Sequence, residues 1–360
     1  MKELSTVLTP PGNKGHVSVA RCAEAWYVAC AARELRNGVL KRTILGTPLA
    51  LFRGEDGTPG VLLDRCPHRN VPLSMGRVVQ KQLQCPYHGW RFDTAGACRM
   101  IPGLCGEAEG PARRVPSFPV REQDGFVWVY MTPDVTPKTE PFRRPLVGAS
   151  GYSHAYRSVT SPGSLHATME NALDVPHTAF VHAGFFRGVS ARNEVEVIVR
   201  RAPDRVEAEY VGEPRPSGLV GWLLAPGGGI VIHHDRFILP SIAQVEYRIG
   251  NKAHILVTAM GTPVHDFETV IHAAISFRFG IPGWLIRPFL EPVARWIFRQ
   301  DKLILAPQTT TIMRFGGEQY VSTDADVLGG HIWNLLKQAS TGGGIESGEL
   351  TEVKRHRLEV

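Results

Sequence analysis

The chain reads as an α+β protein in two antiparallel parts, a small β domain followed by a larger sheet that carries helices. Three observations predict this. Glycine and proline are abundant, 37 and 27 of 360 residues, with no three-residue period, so turns cut the chain into short segments. Most segments between those turns alternate apolar and polar residues with period two. Two stretches, 168–181 and 289–306, follow helical spacing instead. Apolar types at 43% and charged types at 21% are enough for a packed core and exclude a disordered chain.

The elements follow in order. Residues 1–24, with Pro10-Pro11-Gly12 and two lysines, are expected to form a loose leader. Residues 25–132 form the first domain, with strands at Trp26–Cys30, Thr43–Arg53, Gly60–Asp64, Gln82–Cys85, Gly89–Asp93 and Gly125–Met131. Breakers at Gly54–Gly57 and Asp93–Gly96 separate them. Residues 133–145 carry four prolines and read as a linker. Residues 146–338 make the second domain, opening with a helix at Thr168–Val181. Its strands are expected at Val195–Val199, Arg205–Val211, Gly229–Leu239, Ala243–Ile249, His254–Met260 and Val270–Phe277. A last helix spans Phe289–Ala306, with Pro288 and Pro292 tolerated at its start and Pro307 ending it. Residues 339–360, rich in Gly, Ser and Glu, are expected to be a mobile tail.

Charge and cysteine usage narrow the function. Forty basic residues against 34 acidic ones give a net +6, but the signs are interspersed rather than gathered into a nucleic-acid stripe. The N-terminus shows no apolar signal region, and the runs Leu219–Ile232 and Ile281–Phe298 are broken by glycine, proline or charge. A cytoplasmic, reducing location is expected, where paired Cys and His residues mean metal more often than disulfide. Gly227-Gly228-Gly229 lacks the following Lys-Ser/Thr of a phosphate loop, and no G-x-G-x-x-G joins a strand to a helix.

Cys66-Pro67-His68 and, after sixteen intervening residues, Cys85-Pro86-Tyr87-His88 each offer one thiolate and one imidazole. Such a set suits tetrahedral zinc or an iron–sulfur cluster. Zinc fingers place two Cys together and then two His together, whereas mixed loops suit a [2Fe–2S] cluster with sulfur on one iron and imidazole on the other. Cys66, His68, Cys85 and His88 are the candidate ligands. The stretches CPHRNVPLSMG and CPYHGWRFDTAGACRMIPG, with Gly76 and Gly96 at turns, closely resemble the Rieske domain of Rieske non-heme iron oxygenases. Cys98 and Cys105 fall outside that pattern and read as packing or loop residues.

A cluster alone moves electrons, so the second domain needs its own chemistry. In Glu170–His182 the histidines His177 and His182 are five apart, and a helix distorted at Pro176 turns both toward one point. Two imidazoles and one carboxylate on one face of an iron form the site that activates O2 in non-heme Fe(II) enzymes. The carboxylate is expected to be Asp301, on the last long helix with Val293, Ile297, Ile304 and Leu305 on its face. Glu291 and Asp266 are the competing candidates. The Asp174/His177/His182 stretch and the Asp301–Gln308 segment also resemble the same family.

The resemblance implies more than the residues alone do. It implies a helix-grip catalytic domain after the Rieske domain, and a homotrimer without a second subunit type. In it Asp174, one helical turn before His177, hydrogen-bonds His177 and His88 of the partner subunit; a plain helix-end carboxylate is the alternative. Electrons pass from NAD(P)H through a reductase, with or without a ferredoxin, to the cluster and on to a mononuclear Fe(II). One oxygen atom then enters the substrate, by hydroxylation or oxidative dealkylation. Desaturation, cis-dihydroxylation and N-oxygenation are alternatives on the same irons, and an electron-transfer Rieske protein is the alternative from another class. Residues between Gly184 and Arg278, rich in Val, Ile, Leu and Phe, are expected to line a pocket for a largely apolar organic substrate. Asn171 and one of His233 and His234 are further candidates to line it. The aromatic segment 284–298 is expected to be core or pocket wall rather than a membrane contact.

Overall fold

A computed structural model describes residues 21–36, 38–183, 194–212, 231–249, 253–279, 282–341, 345 and 347–359. The leader up to residue 20 and the triple glycine at 227–229 lie outside the described residues. The described residues divide into two compact units, one within Ala23–Arg143 and one from Arg144 onward.

Among the described residues, the first unit is built from three small antiparallel sheets. Strands β1 (Trp26–Ala31), β10 (Phe126–Tyr130) and β9 (Val120–Gln123) form one, and β2 (Leu40–Ile44), β3 (Thr47–Arg53) and β4 (Pro59–Leu63) another. The third contains β5 (Arg77–Val79), β6 (Gln82–Gln84), β7 (Arg91–Phe92) and β8 (Cys98–Met100). The expected single strand Thr43–Arg53 is instead a hairpin. Leu45 and Gly46 adopt φ of 50° and 73°, the left-handed pair that a two-residue turn needs to match strand twist. Phe52, Leu62, Leu73, Leu83 and Phe92 form the core, with Cys66 and Cys85 embedded in it.

The second unit holds one sheet of eight strands among the described residues, all neighbours antiparallel. The order is β11 (Ser153–Ser161), β17 (Glu268–Arg278), β16 (Ala253–His265), β15 (Ile242–Ile249), β14 (Val231–Ile238), β13 (Arg205–Val211), β12 (Glu194–Arg201) and β18 (Thr351–Glu359). One face, with Phe237, Ala243, Ala259 and Ala273, packs against helix α1 (Leu165–Leu173). Helix α3 (Gly283–Phe315) lies against β11, and α4 (Gly329–Ser340) packs on α1.

Four expectations need correction. The helix 168–181 is two pieces, α1 and the single turn α2 (Thr178–Val181), because Pro176 disfavours helical geometry at Val175. The last long helix begins earlier and ends later, with Pro288, Pro292 and Pro307 inside it. A proline removes one donor, and burial of Leu305 and Ile312 together with the 2.6 Å bond from Thr309 Oγ1 to the Pro162 carbonyl holds the helix through Pro307. Ile304, expected on the inward face, is 50% exposed. The segment after residue 339 is not a loose tail, since Thr351–Glu359 pairs with β12 at the sheet edge.

Candidate metal centres and substrate cavity

The two Cys/His loops share one backbone design. In each, the cysteine N–H donates to the carbonyl five residues on, Val71 at 2.9 Å and Trp90 at 2.8 Å. In each, the cysteine carbonyl accepts from the N–H four residues on, Asn70 at 2.9 Å and Gly89 at 3.2 Å. That fourth residue takes the left-handed conformation both times, φ 61° at Asn70 and 73° at Gly89. Two flanking glycines are sterically required: a Cβ at Gly76 would meet the Gln84 carbonyl oxygen at 2.1 Å, and one at Gly96 would meet that of Val115 at 1.9 Å.

The result is two buried thiols and two imidazoles nearer the surface. Cys66 and Cys85 are 1% and 3% exposed, whereas His88 is exposed. The His68 ring stacks on Trp90 at 4.8 Å and meets His88 edge-on at 4.5 Å. Burial, aided by the adjacent Cys85, pushes the Cys66 thiol up to about 11, so thiolates here call for a cationic partner. His68 Nδ1 is buried without a hydrogen-bond partner. Two inner sulfurs, two outer nitrogens and an orphaned ligand-type nitrogen fit a cluster with different ligands on its two irons.

The second centre gathers at the break between α1 and α2. Ser164 caps α1, accepting from the Ala167 N–H at 3.1 Å. Asp174 ends α1, His177 begins α2 and His182 ends it. The Nδ1 of His177 donates to the Asp174 carbonyl, and the Nδ1 of His182 lies 2.8 Å from Gln300 Oε1, also as donor. Each imidazole thus turns its Nε2 lone pair the other way. The two Nε2 atoms are 3.3 Å apart, and Asp301 Oδ1 lies 3.0 Å from that of His182 and 3.7 Å from that of His177.

Of the three candidate carboxylates, Asp301 alone comes to the histidines. Glu291 is engaged with Arg157 and Arg295, both at 2.9 Å, and Asp266 lies near Arg21. Burial would lower His177, but Asp174 and Asp301 lift it to about 9. For Asp301 the pull of both histidines overrides burial and keeps its carboxyl below the usual range. A site that stabilises positive charge this strongly, with three donor atoms within 4.8 Å, fits a divalent iron. Gln300, which orients His182, carried no sequence signal apart from its place beside Asp301.

The three donors open onto a cavity of about 1130 Å³. Val245, Val257, Ile271, Ile275 and Phe289 make much of its wall, together with Asn171, the 288–298 part of α3 expected as core or pocket wall, and a face of α1 that sequence reasoning did not assign. The expected lining loops at 184–193 and 213–230 lie outside the described residues. His233 also faces the cavity, 3.0 Å from Asp235 and stacked between Tyr210 and Tyr247. Among the described residues, no helix is long and apolar enough to cross a membrane.

Comparison with known proteins finds relatives for both units. Residues 25–119 match the Rieske [2Fe-2S] domain, and residues 164–341 match the vanillate O-demethylase oxygenase C-terminal domain. The oxygenase component of dicamba O-demethylase from Stenotrophomonas maltophilia is 42% identical over 323 residues, 88% of this chain and 83% of that protein. The oxygenase component of chloroacetanilide N-alkylformylase from Rhizorhabdus wittichii is 33% identical over 208 residues, 55% of this chain and 58% of that one. The crystal structure of dicamba monooxygenase bound to dicamba superposes with a TM-score of 0.75 at 25% identity, covering 90% of this chain and 98% of the other. The chain belongs to the Rieske non-heme iron oxygenases: it is an oxygenase component with a [2Fe–2S] cluster and a mononuclear iron, which takes electrons from NAD(P)H through a separate reductase or ferredoxin and uses O2 to monooxygenate a largely apolar organic substrate.

Proposed function

We propose that Cys66, His68, Cys85 and His88 hold the cluster and that His177, His182 and Asp301 hold the mononuclear iron. The observation that carries this reading is the convergence of two oriented Nε2 atoms and one carboxylate oxygen on a largely aliphatic cavity. Iron held there would supply the redox chemistry that activates O2. The protein's own groups do the rest. The Asp174 carbonyl and Gln300 keep both imidazoles in the ligating tautomer. The aliphatic wall positions the substrate by shape and excludes bulk water.

The Asp174 carboxylate, with Oδ2 3.4 Å from His177 Nδ1, is proposed to connect the centres by also accepting from His88 of the partner subunit. That role goes with a homotrimer, with a Rieske domain at 25–132 and a catalytic domain at 146–338, and with a cytoplasmic location.

The proposed reaction is oxidative dealkylation of an aromatic ether or amide. The support is the O-demethylase and N-alkylformylase names of the two relatives. Hydroxylation of a methoxy carbon gives a hemiacetal, which releases formaldehyde and leaves a phenol. The test is turnover with a reductase, NADH and a panel of methoxylated and N-alkylated aromatics. Formaldehyde released in step with phenol supports the reading. Ring hydroxylation with the methyl group retained refutes dealkylation while leaving the oxygenase assignment intact.

A further inference from the structure

A second pocket, of about 370 Å³, adjoins the triad, and Asp174 and His177 line both it and the substrate cavity. Its wall is of another character, with Glu170, Asn171, Gln308, Tyr320 and Asp326 contributing polar groups. Neither the electron route nor the substrate wall accounts for this arrangement.

Glu170 lies one turn before Asp174 on the side facing that pocket. Its Oε1 occupies the space a side chain at residue 329 would need, since a Cβ on Gly329 would come within 1.9 Å of it. Its Oε2 is 3.8 Å from Nδ1 of His166, which is 2% exposed. The Nε2 of His166 bonds the Gly329 carbonyl at 3.2 Å. A carbonyl only accepts, so the imidazole proton sits on Nε2 and Nδ1 keeps its lone pair. That Nδ1 is buried without a hydrogen-bond partner. A buried acceptor facing a carboxyl oxygen is satisfied by a small approach when the carboxyl carries a proton.

Monooxygenation, RH + O2 + 2e⁻ + 2H⁺ → ROH + H2O, consumes two protons per turnover, while its two electrons come from the reductase. The aliphatic part of the cavity wall cannot hand over protons, and His233, stacked on Tyr210 and Tyr247, is already bonded to Asp235. We infer that Glu170, backed by His166, holds a proton beside Asp174 and supplies it through the polar pocket to the reacting side of the cavity. The inference rests on the oxygenase reading above. Glu170 acts through Asp174 and the solvent of the pocket, as a positioning residue for the proton rather than a group in contact with substrate.

The electrostatics agree. Burial, then Asp174, Asp326 and Glu318, push Glu170 up to about 7. Burial pushes His166 down to about 4 against the opposing bond to Gly329, so the imidazole stays neutral. The titratable groups around Glu170 are His166 and Asp174 on its own segment, Glu318 and Tyr320 after α3, and Asp326 before α4.

Two measurements test this. In the resting protein, infrared difference spectra between about pH 6 and about pH 8 should show a protonated-carboxyl band that disappears in Glu170→Gln. In turnover, Glu170→Gln should slow product formation by about ten- to hundredfold, lose the pH dependence near neutrality and enlarge the solvent deuterium isotope effect. Both metal centres should stay filled, and Glu170→Asp should restore part of the rate. Absence of the wild-type band, or a Glu170→Gln protein with the wild-type rate and pH profile, overturns the inference. A wild-type protein that oxygenates nothing would instead strike the oxygenase reading, and the infrared band would still decide where the proton is held.

Discussion

The two proposed metal centres are built in opposite ways. Each cluster loop is shaped by backbone hydrogen bonds within a few residues and by one left-handed residue, Asn70 or Gly89. The triad joins His177 and His182 to Asp301, more than a hundred residues on, and exists only because α3 docks beside β11 and α1. A locally encoded site tolerates changes elsewhere in the fold. A tertiary site inherits every displacement of the helix that completes it, and a shift of about 1 Å at Asp301 is enough to impair the chemistry.

Removing the proposed carboxylate ligand from the tertiary site gives the largest expected effect. Asp301→Ala should abolish oxygenation and lower iron from about three to about two per chain, with the cluster's visible spectrum unchanged. Retention of the third iron by Asp301→Ala and its loss from Glu291→Ala would reverse the carboxylate assignment. Asp174→Asn probes the connection between the centres. It keeps the shape and loses charge and acceptor capacity, so both centres should remain filled while product formation falls by about two orders of magnitude or more. Cluster oxidation in a single turnover at the wild-type rate would reduce Asp174 to a helix-end carboxylate.

Smaller effects sharpen the local side of the comparison. Gly96→Ala must force a methyl against the Val115 carbonyl at a φ of +81°, and should cost about 3 kcal/mol in denaturant melts. Gly89→Ala, at φ +73° with Pro102 Cγ 2.9 Å from the new methyl, should cost about 1–2 kcal/mol, whereas Asn70→Gly in the matching position should change stability by less than about 1 kcal/mol. Equal losses at the two positions would show that the loops are not equivalent. The smallest effect concerns acid stability of the large sheet. Burial would raise Glu207, but His234 at 3.3 Å and Arg236 outweigh it and lower Glu207 from 4.5 to about 2. A depressed carboxylate contributes stability above its unfolded value and loses it as pH falls through the folded one. Glu207→Gln should therefore flatten the stability loss between those values, by about 2 kcal/mol.

The cluster motif was legible because thiolate and imidazole in mixed loops are rare without a metal, and because the loop that holds them is short. His177 and His182 were legible by spacing, although the helix expected to carry them is broken at Val175-Pro176. Asp301 was reached through an inward position on an amphipathic helix and the family resemblance of the Asp301–Gln308 segment, and the helix-face reasoning wrongly turned Ile304 inward. The Thr43–Arg53 hairpin was missed because Leu45 is an unusual residue for a left-handed turn. The edge strand Thr351–Glu359 was missed because its charged face, open to water, looks like a tail until β12 supplies its hydrogen bonds.

By itself, then, the sequence determined the chemistry of the donors and the conformation of the loops that present four of them, since both depend on residue type and near neighbours. Only the tertiary structure decided which carboxylate comes to the two histidines, which side chains wall the cavity and that Glu170 faces the unpartnered Nδ1 of His166. The physical reason is that those relations are set by packing between segments far apart in the chain. There burial, rather than local preference, assigns each polar atom its partner.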